Sequence, residues 1–106
     1  KLPTISMAQN QHFIMALDTI SLTEEHQKRQ GKTYSGNLFK AWKGMFMSRI
    51  HSKLKKRMNV VRYTSIKRVD FDEALAYLNV LTYEHFSLAD LQATPAVLNV
   101  LELEEK

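Results

Sequence analysis

Cysteine is absent from this chain of 106 residues, and glycine and proline are scarce, with three and two residues respectively. Without cysteine the chain forms no disulfide and no thiolate metal site, which fits a reducing compartment, and we expect a cytoplasmic protein. So few glycines and prolines disfavour an all-β fold, because such folds need many turns. No apolar run approaches the roughly 20 residues of a membrane-spanning helix, so we expect no membrane partner.

Acidic residues are also missing from a long central stretch, His26–Val69. This stretch carries thirteen of the fifteen Lys and Arg residues, whereas residues 1–25 sum to −2 and residues 70–106 to −7. The formal net charge of +4 therefore conceals a strongly polarised sequence. A charge distribution of this kind bears on partners rather than on fold, and it points to a polyanion or an acidic protein surface as the ligand.

The strongest pattern is an amphipathic helix, predicted from about Asn37 to Met58. Apolar residues recur every four positions, the spacing of one helical face: Leu38, Trp42, Phe46, Ile50, Leu54 and Met58. Asn37 is the expected N-cap, and Asn59 tolerates the left-handed backbone that ends a helix. The stripe is the best core former in the chain, which argues against its use on a lipid surface. We therefore predict a mainly α fold, a small helical domain around this long basic helix.

The region before this helix is predicted less sharply. Four apolar residues share one helical face: Phe13, Ile14, Leu17 and Ile20. The pattern leaves open whether that helix continues or whether a second helix opens at the capping box Ser21–Glu24. In either case Gly31 is the expected C-cap, and a polar loop follows it.

Beyond the long helix, the β-branched and aromatic run Val60–Thr64 predicts a short strand or an extended connector. Asp70 and Glu73 have the spacing of a capping box, which predicts a further helix. Its expected buried face is Phe71, Ala74, Leu75, Leu78 and Leu81. Ser87–Asp90 repeats the capping pattern and predicts a short helix. For the last apolar segment, Ala96–Leu103, the pattern does not separate helix from strand.

The candidate binding residues lie on the C-terminal half of the long helix and on the connector after it. Lys and Arg there can neutralise phosphates and release counterions, and a tyrosine among them can stack on a base or contact a phosphate. The predicted site for nucleic acid or an acidic partner consists of Arg49, Lys53, Lys56, Arg57, Arg62, Tyr63, Lys67 and Arg68. The alternative is a solvent-exposed helix face whose charge only aids solubility, but a face with charges of both signs would serve solubility equally well. The absence of acids therefore favours an anionic partner, with DNA ahead of an acidic protein.

Catalytic and metal sites are not predicted. Three carboxylates at positions 70, 72 and 73 resemble a divalent-metal cluster, but the capping box and the helix dipole account for them. The four histidines include no pair at the i, i+3 or i+4 spacing that suits a zinc site on one helix. We expect no enzyme activity and no cofactor.

The stretch Arg49–Leu78 also carries a family pattern. A basic helix ends in a hydrophobic residue, a turn residue and a valine, and a Tyr-x-x-Ile step then leads to an acidic-capped helix with Phe, Glu-Ala and Leu. The positions concerned are Leu54, Lys55, Met58, Asn59, Val60, Tyr63, Ile66, Phe71, Asp72, Glu73, Ala74 and Leu75. In this pattern the stretch resembles the C-terminal domain of phage antirepressor-type regulatory proteins. Asn59 stands where glycine is usual, and a tryptophan often found near the end of the second helix is missing.

The resemblance implies a regulatory module of a phage or prophage lysis–lysogeny switch, acting in the cytoplasm of a bacterial host. It leaves two mechanisms open: binding DNA to influence transcription, or binding and inactivating a phage repressor protein, with a homo-oligomer as a further possibility. Such proteins pair this domain with a separate N-terminal domain, so we expect a fragment. We predict a single C-terminal-type domain over residues 1–106, with an N-terminal helix and connector in 1–31, the core in 32–86 and an acidic segment in 87–106.

Overall fold

A computed structural model of the chain describes residues 3–105. Within them lie five α-helices, α1 (Met7–Ala16), α2 (Thr19–Gln30), α3 (Gly36–Met58), α4 (Phe71–Val80) and α5 (Pro95–Glu104), and three 3-10 turns at Tyr63–Ser65, Arg68–Asp70 and Tyr83–His85. These residues form no β-strand, although Thr4 and Lys67 make an isolated antiparallel bridge. The predicted mainly α fold around one long basic helix is confirmed. None of the helices in the described range has both the length and the apolarity needed to cross a membrane.

The long helix α3 forms where the four-residue periodicity predicts it. Its apolar stripe is buried, with no more than 7% of any side chain exposed at Leu38, Trp42, Phe46, Ile50 and Leu54. Met58, the last member of the stripe, is half-buried. Burial of one continuous stripe is the main source of stability for a helix of this kind, because helix propensity alone contributes little.

The two ends of α3 differ in how well the sequence predicts them. The helix begins at Gly36, and the cap is Ser35 rather than Asn37, since the Ser35 hydroxyl accepts a hydrogen bond from the Leu38 N–H at 3.1 Å. At the other end the prediction is confirmed, because Asn59 has a φ of 55°. The Asn59 N–H donates to the Lys56 carbonyl and the Val60 N–H to the Lys55 carbonyl, at 3.3 and 3.0 Å. This pair of hydrogen bonds is a Schellman motif.

The N-terminal region is two helices, and the second opens earlier than the capping box at Ser21–Glu24 predicts. Leu17 leaves the helical conformation, with a ψ of 101°, and Asp18 caps α2 by accepting from the Ser21 N–H at 3.4 Å. Gly31 ends α2 with a φ of 65°, as predicted. The predicted buried face is only partly correct, because Phe13 is buried whereas Ile14 and Ile20 are 44% and 56% exposed.

The connector after α3 is extended at Arg62, with φ −128° and ψ 144°, and then turns through Tyr63–Ser65. Of the two predicted alternatives, the strand is therefore wrong. Helix α4 begins at Phe71 directly after Asp70, as predicted, but the Asp70 side chain makes no cap hydrogen bond, so the predicted capping box does not form. Three residues of the predicted α4 face are buried, and the other two are half-buried at Leu75 and Leu81.

The C-terminal segment contains one α-helix, although the sequence has two helical signals there. Ser87 and Asp90 make the reciprocal hydrogen bonds of a capping box, at 3.0 and 3.2 Å, but they close a turn and the predicted short helix is absent. The last apolar segment is helix α5, which Thr94 caps by accepting from the Val97 N–H at 3.4 Å. Pro95 occupies the first position of α5. An N–H at this position has no helical partner, so the missing N–H of proline removes no hydrogen bond.

The described residues divide into two compact units, each made of two stretches of chain. The first contains the chain up to Leu17 together with Ile50–Leu81, and the second contains Asp18–Arg49 together with the chain from Thr82 onward. This division does not test whether the chain folds as one domain, which stays a prediction.

In the first unit, α1 packs on α4. The rings of Phe13 and Phe71 stack with their centroids 5.1 Å apart and their planes inclined by 29°. The N-terminal segment is hydrogen-bonded to the connector, with the Ile5 N–H donating to the Ile66 carbonyl at 2.9 Å and the Arg68 N–H to the Pro3 carbonyl at 2.8 Å. These contacts join the connector between α3 and α4 to the N-terminal segment.

In the second unit, His26 of α2 lies at the centre of an aromatic cluster. Its ring centroid is 4.4 Å from that of Trp42 and 5.7 Å from that of Phe46, both in edge-to-face geometry. Its Nδ1 atom is hydrogen-bonded to the Tyr83 hydroxyl at 2.7 Å, and burial lowers the pKa of the imidazole. Arg29 lies over the Tyr83 ring, 4.5 Å from its centroid. This histidine is therefore a core residue.

Candidate nucleic-acid interface

The predicted cations are concentrated in one short stretch of the first unit, which we call the basic segment, Lys53–Arg68. It comprises the last turns of α3, the Schellman turn at Asn59 and the connector. Its cations are Lys53, Lys55, Lys56, Arg57, Arg62, Lys67 and Arg68, and it contains no carboxylate. The cations at the end of α3 also complement the negative end of the helix dipole.

Most of the cations in the basic segment are on the surface. Lys56, Arg57, Arg62, Lys67 and Arg68 are exposed, whereas Lys53, Lys55 and Tyr63 are half-buried. Arg29 pairs with Glu25 and Glu84, whereas the five exposed cations of the basic segment are in no ion pair within residues 3–105. Positive charge that is exposed and not neutralised by neighbouring acids is available to an anionic ligand.

The turn that ends α3 shapes an open cleft in the basic segment. The cleft has a volume of about 480 Å³ and is lined by Ser52, Lys55, Lys56, Asn59, Val60 and Val61. The left-handed backbone at Asn59 turns the chain sharply away from the helix axis, so that the connector forms the second wall. Two ammonium groups, a hydroxyl and an amide therefore line one concave surface, and each of them can contact phosphate oxygens.

Tyr63 is held by a stacked ring rather than projecting freely into solvent. Its ring lies 4.7 Å from that of His51, centroid to centroid, with 18° between the planes. Burial lowers the pKa of His51, and the nearby Lys55 cation lowers it further. The imidazole therefore binds a proton less readily than an unperturbed histidine, and it acts here as an aromatic support.

Two arginines of the basic segment are positioned by contacts inside the first unit. The Arg57 guanidinium lies over the Tyr77 ring of α4, 5.7 Å from its centroid, within the range of a cation–π contact. The Arg68 Nε atom donates to the Thr4 carbonyl at 3.2 Å. Both contacts leave part of the guanidinium free, because an arginine has five N–H donors.

Arg49 differs from the other predicted site residues, because it belongs to the second unit. Its Nε atom donates to the main-chain carbonyl of Asp90 at 2.9 Å, and its side chain is half-buried. This contact links α3 to the turn before α5. The structure thus gives Arg49 a packing role that the charge pattern does not reveal.

Several residues of the site, Lys55 among them, were not among the predicted binding residues. Ser52, Asn59, Val60 and Val61 line the cleft, and His51 supports Tyr63. The available signal was the predicted helix end at Asn59, because His51 and Ser52 lie within about two turns before it and Val60 and Val61 directly follow it.

The described part of the chain contains no group of three or more His, Asp or Glu side chains that could hold a metal ion. The carboxylates at positions 72 and 73 lie in the first turn of α4, as expected for residues that complement a helix dipole.

Comparison with known proteins identifies the same stretch of chain. Residues 39–88 match the family model of the ORF6C domain. This domain is found in phage-type regulatory proteins, in agreement with the resemblance predicted from the motif between Arg49 and Leu78. The ORF6C match spans slightly less than half of the chain and contains the whole basic segment. Neither the curated proteins nor the solved structures include a significant match.

Proposed function

We propose that this chain is a phage or prophage regulatory module of antirepressor type that binds DNA through the basic segment and so influences transcription. The observation that carries the proposal is the run of seven cations without a carboxylate, five of them exposed, beside an open cationic cleft. The similarity of residues 39–88 to the ORF6C domain supports the regulatory setting. The role is one of binding rather than catalysis, needs no cofactor and is exercised in the bacterial cytoplasm.

Contacts of this kind are made mainly to phosphates. Lysine and arginine side chains on a helix end and a connector give affinity and orientation, whereas sequence choice requires contacts to base edges. We therefore expect binding to duplex DNA with strong salt dependence and weak sequence preference.

A second candidate partner is an acidic protein surface, such as that of a phage repressor. Val61 and Val69 are 87% and 69% exposed and stand next to Arg62 and Arg68 in the sequence. Exposed apolar side chains among cations suit a protein partner, which can bury them, better than they suit a phosphate backbone.

The test is a titration of a labelled DNA duplex with the protein, followed by fluorescence anisotropy over a series of salt concentrations. About six phosphate contacts give a slope of log K against log salt of roughly −5. Absence of binding at low salt, or a flat salt response, contradicts the DNA proposal and leaves the acidic-protein partner.

A matched pair of variants assigns the contacts to the basic segment. Lys56→Ala/Arg62→Ala removes two exposed cations from it and should make the slope shallower by about 2. Lys28→Ala/Lys32→Ala removes the same charge from two exposed positions of the second unit and should leave the slope nearly unchanged. Equal effects of the two variants would mean that net charge, and not this segment, governs binding. Arg57 is kept in both, because its contact with Tyr77 also contributes to packing.

A further inference from the structure

A second concave surface, distinct from the basic segment, lies in the second unit between α3 and α5. We call it the α5 groove. Its volume is about 390 Å³, and its lining residues are Asn37, Lys40 and Ala41 of α3 and Ala96, Val100, Leu103 and Glu104 of α5. Most of this lining is apolar, and Leu103 is 70% exposed. Such a groove between two helices suits the apolar stripe of a third helix.

The groove is preformed because α5 is anchored at both ends and through its buried Val97. Val97 is fully buried, and Thr94 caps the start of the helix. At the other end, the Ser35 hydroxyl donates to the Glu104 carboxylate, which ties the end of α5 to the start of α3. Ala96, Val100 and Leu103 follow the i, i+4, i+7 spacing and therefore share a face, and none of the three makes these anchoring contacts.

The charges around the groove are complementary within a single chain. The first turns of α3 carry Lys40 and Lys43 and no acid, whereas the last turn and end of α5 carry only acids, at Glu102, Glu104 and Glu105. A ligand suited to this groove would bring an apolar helical stripe that ends in acids, and α5 itself has both features.

The side-chain sizes also match when two α5 helices run antiparallel. Such a pair with its two-fold axis near Val100 places the large Leu103 of each copy against the small Ala96 of the other. Alternation of large and small side chains across facing positions gives close packing. It also brings Glu104 of each copy toward the positive N-terminal end of the other copy's α5.

We propose that the α5 groove is the interface of a homodimer, in which α5 of each copy lies in the groove of the other. The arrangement is isologous, so every contact occurs twice. The proposal goes beyond DNA binding and does not depend on it, since its residues are separate from the basic segment.

The first test is sedimentation equilibrium of the chain over a concentration series. The unmodified chain should give a monomer–dimer equilibrium, and Leu103→Glu should shift the dissociation constant upward by on the order of tenfold or more. Leu98→Glu is the control, because Leu98 lies on another side of the same helix and is 54% exposed; it should leave the constant nearly unchanged. A chain that stays monomeric throughout, or equal effects of the two variants, overturns the proposal.

The second test separates contacts between copies from contacts within one copy. In the proposed dimer Glu104 of each copy also faces Lys40 on the groove rim of the other. Lys40→Glu makes this rim acidic, and Glu104→Lys makes α5 more basic, so each variant alone should be mainly monomeric because like charges then face each other. An equimolar mixture should form a heterodimer, since both facing pairs are then of opposite sign. Circular dichroism of each variant checks that α5 remains folded. A mixture that stays as monomeric as its components contradicts the arrangement.

Discussion

The imidazole of His51 lies nearly parallel to the phenol ring of Tyr63, with 4.7 Å between ring centroids and 18° between planes. One ring belongs to α3 and the other to the connector that follows it, so the stack holds together the two parts of the basic segment. It also fixes a tyrosine among cations, in the segment through which we propose that DNA binds.

This stack leads to the first prediction, which concerns DNA binding. His51→Ala should weaken affinity by about 0.5–1.5 kcal/mol, because Tyr63 loses its aromatic support. His51→Phe restores a stacking ring without a titrating group and should retain most of the affinity. The measurement is duplex binding by anisotropy at fixed salt and pH. An equal loss in both variants would show that the imidazole nitrogens, and not the stack, are required.

The second prediction concerns stability as a function of pH. Burial lowers the pKa of His26 and of His51 below the usual 6.5, so both bind a proton less readily in the folded chain than in the unfolded one. Their contribution is complete above pH 6.5 and declines as the pH falls toward the folded-state values. The free energy of unfolding should therefore drop below about pH 6.5, with a slope of at most about 1.4 kcal/mol per pH unit for each histidine.

Urea unfolding between about pH 7.5 and 5.5 measures this slope. His26→Gln should lower stability at every pH, because the hydrogen bond to Tyr83 and the aromatic packing are altered. The same variant should also reduce the pH slope. A variant that is less stable but keeps the full slope would show that His26 does not titrate in this range.

The third prediction concerns the turn at Asn59. Asn59→Val places a β-branched residue at a φ of 55° and should destabilise the chain by about 1–2 kcal/mol, since such residues are strained in the left-handed region. Asn59→Gly keeps the turn without that strain and should be at least as stable as the unmodified chain. Thermal unfolding ranks the three proteins. If Asn59→Val unfolds at the same temperature as Asn59→Gly, the left-handed turn does not limit stability.

The sequence predicts α3 well and the N-terminal helices less well, and the difference has a physical cause. Six apolar residues at a constant four-residue spacing leave no alternative to a helix with one buried face. In the N-terminal region periodicity does not locate the start of the second helix, and Asp18 caps it three residues before the capping box at Ser21–Glu24. Similarly, Ser87 and Asp90 form their cap hydrogen bonds without a helix behind them. A cap satisfies free N–H groups wherever the backbone turns, so its pattern is necessary for many helix starts but not sufficient.

For the candidate site, the sequence predicts composition but not position. The absence of acids is visible in the chain itself, and the exposure of cations that lie off the apolar stripe follows from helical geometry. The contact of Arg49 with the Asp90 carbonyl joins residues 41 positions apart, and the cation–π contact of Arg57 joins α3 to α4. Contacts of this range depend on packing between elements, which a local pattern does not encode.

The interleaving of the two units has a consequence for how the chain is made. Phe13 is synthesised 58 residues before its stacking partner Phe71, and all of Asp18–Arg49 lies between them. The core of the first unit therefore cannot close before Phe71 has emerged, and α1 lacks its packing partner until then. The core of the second unit is likewise incomplete until Val97 and the rest of α5 have been synthesised. For the same reason the ORF6C-matching stretch 39–88, expressed alone, lacks Phe13 and Val97 and should not form either core.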